Sequence, residues 1–189
     1  MTRRKRLFYS LILFLLPGKG RERADFIRKH HLYGSVGENC MIQKRKLPLY
    51  SNLVFLHDNV WVASNVGFVT HDTIHYMLNS RFGVEDFIEK VGCIEVMNNV
   101  FIGSGTRILY NVRIGNNVII GSDSLITKDI PDNSVYAGVP ARFICSFNDY
   151  VEKHKKYSEE FQLKFCQKRV NGVSDELASM LYNAFLENR

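Results

Sequence analysis

The chain has 189 residues, 46% apolar and 23% charged. That length fits one domain with terminal additions, and the composition is that of a globular protein, far from disorder. Its net charge of +6 is compatible with nucleic acid, an anionic membrane surface or a phosphate-bearing small molecule, and by itself selects none of them.

In chain order, the first feature is a basic cluster, Arg3-Arg4-Lys5-Arg6, ahead of an apolar run from Leu7 to Leu16 and a Pro17-Gly18 break. The pattern resembles the start of a signal peptide, but Lys19-Gly20-Arg21-Glu22 stands where a small-residue cleavage site belongs. Ten helical residues span only about 15 Å, half of a bilayer core, so a spanning helix is not expected. Three readings stay open: a helix packed on the protein's own body, a basic interfacial anchor on the cytoplasmic leaflet, or a cleaved signal. Residues 21 to 30 follow as a short charged helix. Cys40, Cys93, Cys145 and Cys166 show neither a CxxC nor metal-ligand spacing, which reads as buried free thiols in a reducing compartment, with no metal.

An internal period begins at Val36. Every sixth residue from there is Val36, Ile42, Pro48, Val54, Val60 and Val66; resuming at Val96 it is Val96, Ile102, Ile108, Ile114, Ile120 and Ile126. Eleven of these twelve positions are Val or Ile. Gly often follows (Gly37, Gly67, Gly103, Gly115, Gly121), and the residue four further on is small or β-branched (Cys40, Ser64, Val100, Thr106, Val112, Val118, Ser124). Six is a multiple of the strand period and a poor match to 3.6. The spacing therefore predicts short strands joined at tight Gly- and Asn-containing corners, a parallel β-helix of three-sided coils whose β-branched residues stack inward. At about 4.8 Å per coil, twelve hexads give about four coils, a prism ~20 Å tall. Its core is thin, and its flat outer faces call for a partner.

Between Val66 and Val96 the hexad fails, with Asp72 and Lys90 at would-be stacking positions. The spacing predicts a loop thrown out of the coil over about residues 70–93, opening at His71. Solenoids place insertions on one face, often the functional one. A histidine on a rigid coil facing such an arm is well placed as a general base, and imidazole titrates near neutrality. Asp72 or a backbone carbonyl is available to hold its other ring nitrogen. His75, on the same arm, is the main competitor for that role.

These residues resemble the hexapeptide-repeat acyltransferases over about 34 to 146. The run Thr127-Lys128-Asp129-Ile130-Pro131-Asp132-Asn133-Ser134-Val135-Tyr136-Ala137-Gly138-Val139-Pro140-Ala141-Arg142 is similar to that family's closing signature. Asn65-Val66-Gly67-Phe68-Val69-Thr70-His71-Asp72 is similar to the stretch carrying the catalytic histidine in the branch that acetylates sugars and xenobiotics. The resemblance implies a left-handed parallel β-helix, a homotrimer with sites between subunits, and direct transfer of acetyl from acetyl-CoA, with no metal and no nucleic acid. It implies His71 as general base, Ser104 and Ser122 along the pantetheine arm, Thr127 and Lys128 near the nucleotide, and Arg142 on a phosphate. The chain departs from the family at Phe101, where Trp is frequent; at Cys145, where a second basic residue is frequent; and at Met41 and Leu49, where the galactoside branch has Asn and Asp.

The resulting expectation is an all-β left-handed β-helix at 34–146, flanked by helical segments at 1–33 and 147–189. In the last of these, Ser174 caps a helix with Leu177, Leu181 and Phe185 on one face, and the segment packs on the prism or helps fix a trimer. The function expected is cytoplasmic O-acetylation of a sugar or surface-polysaccharide precursor, at the inner face of the membrane if residues 1–16 anchor there. The alternatives are a xenobiotic acetyltransferase and a non-catalytic β-helix scaffold. A metal-dependent β-helix needs a histidine triad on facing coils, which the spacing of His57, His71 and His75 does not supply.

Overall fold

In the computed structural model, residues 3–16, 20–165 and 172–187 are described; the Pro17-Gly18 break and Cys166 fall outside them. The chain divides into two compact units, residues 1–147 and 148–189.

The first unit is the coil. One face stacks β1 (Ser35–Val36), β3 (Val54–Leu56), β6 (Ile94–Val96) and β9 (Val112–Ile114). A second stacks β2 (Met41–Ile42), β4 (Val60–Val62), β7 (Val100–Ile102) and β10 (Val118–Ile120), and the third β5 (Gly67–Val69), β8 (Arg107–Leu109) and β11 (Leu125–Ile126). Every one of these pairings is parallel. Alternate residues point inward as the strand period requires, and all twelve hexad positions are buried.

The inward columns run Val36–Leu56–Val96–Ile114, Ile42–Val62–Ile102–Ile120 and Phe68–Ile108–Ile126. In the second coil this departs from the sequence register, which has Val54, Val60 and Val66 in those columns. Eighteen residues separate Val96 from Ile114, but twenty separate Val36 from Leu56. A two-residue slip keeps every side chain on the same side of a strand, so Val54 and Val60 still point inward and stack on Ile94 and Val100. Ser64, a small residue of the same spacing, lies exposed at a corner.

The corners explain the asparagines. Asn39, Asn59, Asn65, Asn99, Asn111, Asn117, Asp123 and Asn133 all have positive φ, between 54° and 60°, a region that Asn and Asp tolerate better than other side-chain-bearing residues. Along one edge they form a ladder. Asn59 Nδ2 donates to Asn99 Oδ1 (2.9 Å), Asn99 to Asn117 (3.0 Å) and Asn117 to Asn133 (2.8 Å). Gly103 is needed for a different reason, because a Cβ there would lie 2.5 Å from the Ser122 nitrogen of the next coil.

Both ends of the coil are closed. At the first, α1 (Arg3–Leu15) and α2 (Gly20–Lys29) precede β1. Arg23 of α2 is 1% exposed; its Nε donates to the Ile42 carbonyl (2.9 Å) and its Nη2 to Gln43 Oε1 (2.6 Å). At the other, β12 (Ser134–Ala137) stacks on β10 and then reverses into β13 (Arg142–Ser146), which pairs with it antiparallel. Cys40 is buried, but Cys93 is exposed and Cys145 half-buried, against the expectation of buried thiols. Those two lie at a corner and on an edge strand, off the inward columns.

The second unit carries α4 (Phe147–Phe165, its first residue belonging to the coil unit) and α5 (Asp175–Glu187). Ser174 Oγ accepts the Leu177 N–H (3.2 Å), the expected cap. Leu177 is buried, while Phe185 on the same face is largely exposed.

Candidate active site

His71 sits immediately beyond β5, where the chain leaves the coil. The two stems of the insertion are tied at its base: His71 bridges Val91 in antiparallel fashion, Asp72 N–H donates to the Lys90 carbonyl (3.0 Å) and Gly92 N–H to the Thr70 carbonyl (3.0 Å). His71 therefore rides on a fixed stem. The arm beyond it is not the simple loop expected from the failed hexad. It carries α3 (Ile74–Phe82), begun after Thr73 and ended by Gly83 in the left-handed conformation (φ 65°), whose N–H caps the Asn79 carbonyl. No residue of α3 is buried, and Ile74, Tyr76, Met77 and Phe82 stand exposed on it.

Around His71 the neighbouring side chains are largely bonded to one another. The Tyr50 ring meets it edge-on at 5.1 Å, and the Tyr50 hydroxyl donates to Glu89 Oε2 on the returning stem (2.8 Å). That bond holds the Tyr50 phenol above its ordinary range. Asp72, one of the two partners open to His71 on sequence grounds, makes no bond to it. Its Oδ2 accepts the Tyr110 hydroxyl (2.8 Å) and its Oδ1 the Ile74 N–H (3.2 Å). The Tyr110 bond is the main reason its carboxyl lies below the usual range. Asp72 thus straps the arm to the next coil.

Among the described residues, three buried side-chain polar atoms lack a hydrogen-bond partner: Thr70 Oγ1, His71 Nδ1 and His75 Nδ1. All three fall within six consecutive residues at the root of the arm. Buried polar groups are nearly always paired, so such a cluster calls for an explanation.

The other expected residues fall in two places. Ser104 and Ser122 are exposed at the same corner of successive coils, and the Ser104 carbonyl accepts the Asp123 N–H (2.7 Å). Thr127, Lys128 and Arg142 come together with Tyr136, Ala141 and Phe143 around a cleft of about 340 Å³ where the coil ends. Stacked strands put β11, beside this cleft, about 10 Å along the prism from β5 and His71. Among the described residues no group of three His, Cys, Asp or Glu side chains is disposed to hold a metal ion. His57 is engaged elsewhere, with Nε2 3.0 Å from Glu95, which also pairs with Arg113. Sequence reasoning missed Tyr50, Glu89 and Tyr110. All three lie off the hexad columns, where no period marks them.

Comparison with known proteins agrees with this architecture. The family described as bacterial transferase hexapeptide (six repeats) matches residues 94–128. Galactoside O-acetyltransferase of Escherichia coli (strain K12) is 33% identical over 76% of this chain and 77% of its own. The chain belongs to the hexapeptide-repeat acetyltransferases. Protein CapG of Staphylococcus aureus is also 33% identical to this acetyltransferase, over 94% of this chain and 97% of its own. A solved structure of galactoside acetyltransferase in complex with coenzyme A superposes with a TM-score of 0.56 at 28% identity, covering 79% of this chain and 84% of that one. The acetyltransferase is accordingly an acyltransferase that uses acetyl-CoA as donor.

Proposed function

We propose that the enzyme O-acetylates a hydroxyl of a sugar, within a precursor of a surface polysaccharide, with His71 as general base. The observation that carries this reading is the cluster of unpaired buried polar atoms at Thr70, His71 and His75. Unsatisfied groups persist where function needs them, and these stand where a rigid coil meets an exposed arm. In the reaction, His71 takes the proton of the acceptor hydroxyl as its oxygen bonds to the thioester carbonyl carbon. Collapse of the tetrahedral intermediate breaks the carbon–sulfur bond, and the CoA thiolate leaves with the proton returned by the imidazolium. A backbone N–H on the coil stabilises the oxyanion, Ser104 and Ser122 contact the pantetheine arm, and Thr127, Lys128 and Arg142 receive the nucleotide phosphates.

The sugar class rests on the relatives: the galactoside O-acetyltransferase of Escherichia coli and that of Lactococcus lactis, 32% identical over 68% of this chain. Met41 and Leu49, in place of polar residues, argue for an acceptor other than a galactoside. The coil winds left-handed as in the family, and three copies assemble with each site shared between two of them. The exposed Ile74, Tyr76, Met77 and Phe82 of the arm favour that assembly, since apolar surface of this kind marks an interface.

The test is release of CoA thiol from acetyl-CoA with a panel of sugars and oligosaccharides. His71→Ala should lower kcat by about 10²–10⁴-fold, with His75→Ala far less affected. Undiminished turnover by His71→Ala would exclude this base.

A further inference from the structure

We propose that α1 is a membrane-surface anchor that lays one apolar face into an anionic bilayer. Helix α1 is apolar on two sides. One side is spent on the protein itself: Leu13 is buried, Ser10 Oγ accepts the Leu47 N–H (3.3 Å), and the Tyr9 ring meets that of Phe26 at 6.1 Å. The other side carries Leu7, Phe8, Leu11, Phe14 and Leu15, each more than half exposed. Their spacing puts them on one arc of roughly 120°, a stripe of the width that buries against an apolar phase.

Charge decides what covers the stripe. Arg3, Arg4, Lys5 and Arg6 open the helix, and no Asp or Glu occurs before Glu22. At the other end of α1 the fold brings in a further cation from outside the helix. Arg45 Nη1 donates to the Phe14 carbonyl (2.7 Å) and its guanidinium lies 5.7 Å from the Phe14 ring centre, with exposed Lys46 following it. The stripe is thus bracketed by cations at both ends, the arrangement that attracts anionic headgroups while the apolar residues enter the acyl boundary. A second copy of α1 would offer no acidic group opposite those cations. Thirteen residues span about 20 Å, so the helix lies in the interface and does not cross it. Among the described residues no helix is long and apolar enough to cross a membrane.

This inference stands apart from the acetyl-transfer reading, and its test needs no acceptor. The purified full chain is sedimented with vesicles of phosphatidylcholine alone or of phosphatidylcholine mixed with phosphatidylglycerol. Binding to the anionic vesicles is expected, weaker at high salt and weaker on neutral vesicles. Leu7→Glu with Leu11→Glu should cut partitioning by about 100-fold, with an unchanged circular dichroism spectrum and gel-filtration volume. Arg4→Gln with Arg45→Gln, at exposed positions, should cut it by about tenfold on anionic vesicles only. Failure of the wild-type chain to bind vesicles, or equal binding by the Glu variant, overturns the proposal. So does a wild-type assembly that the Glu variant disperses without vesicle binding, which would show that another copy covers the stripe.

Discussion

Asn117 offers a direct measure of what the corner ladder contributes. It accepts from Asn99 (3.0 Å), donates to Asn133 (2.8 Å), and holds φ at 54°. Asn117→Ala removes both bonds and leaves a Cβ in the left-handed region without a side chain that tolerates it. Two solvent-accessible hydrogen bonds at the low end of their range amount to about 1 kcal/mol. The left-handed conformation costs Ala roughly 1–2 kcal/mol, for a total of about 2–3 kcal/mol. Asn117→Gly loses the same bonds without the conformational cost, but loosens the unfolded chain by about 0.4–1 kcal/mol. Gly should therefore be the milder substitution, by about 1 kcal/mol. Urea unfolding at fixed protein concentration reads both. The chain's single tryptophan, Trp61, reports on this edge because its Nε1 donates to Asn59 Oδ1 (3.1 Å) at the ladder's end. If Ala proves as stable as Gly, the corners do not depend on left-handed tolerance and the account of the asparagines fails.

Three further outcomes are expected. Lys128→Ala and Arg142→Ala should each raise the KM for acetyl-CoA about tenfold with little change in kcat, read by thiol release; an unchanged KM would remove the cleft from donor binding. Lys44 lies largely buried, its Nζ donating to the Val66 carbonyl (2.8 Å), and burial, reinforced by Lys46 and Arg107, pushes its ammonium down from 10.5 to about 8. Between pH 8 and 10.5 the unfolded chain then binds the extra proton, so stability rises with pH by up to about 3 kcal/mol. Lys44→Met should flatten that rise, and urea midpoints across the window compare the two chains. Ile108, fully buried between Phe68 and Ile126, should cost about 2–5 kcal/mol as Ile108→Ala and about 1 kcal/mol as Ile108→Val in urea unfolding.

The coil was legible because its core is one-dimensional. Each inward side chain touches its counterpart in the next turn, so the same residue type recurs at a fixed interval. The two-residue slip between the first and second coils escaped notice because it preserves the inside–outside alternation, and hydrophobicity alone cannot distinguish the two inward columns. Helix α3 was hidden for a related reason. It buries none of its residues, so it carries no amphipathic stripe, and only Gly83 marks its end. In the candidate site, His71 stood out where the period breaks. Tyr50 meets its ring from a position off the inward columns and is in turn held by Glu89 of the insertion, and the Asp72–Tyr110 bond that removes Asp72 from the imidazole joins residues 38 apart in sequence.

A stack of parallel coils has no intrinsic length. Each new turn presents the same row of unpaired amides and carbonyls that the last one did, the template on which fibrils grow. This chain interrupts that template at each end with something that is not a coil. The α2 helix lies against the first turn with the Arg23 guanidinium already bonded to the Ile42 carbonyl. At the far end β13 runs backwards along β12, so an arriving parallel turn meets a strand of the wrong polarity. The acetyltransferase therefore carries its own chain terminators, and truncating either one should convert a discrete particle into one able to polymerise end to end.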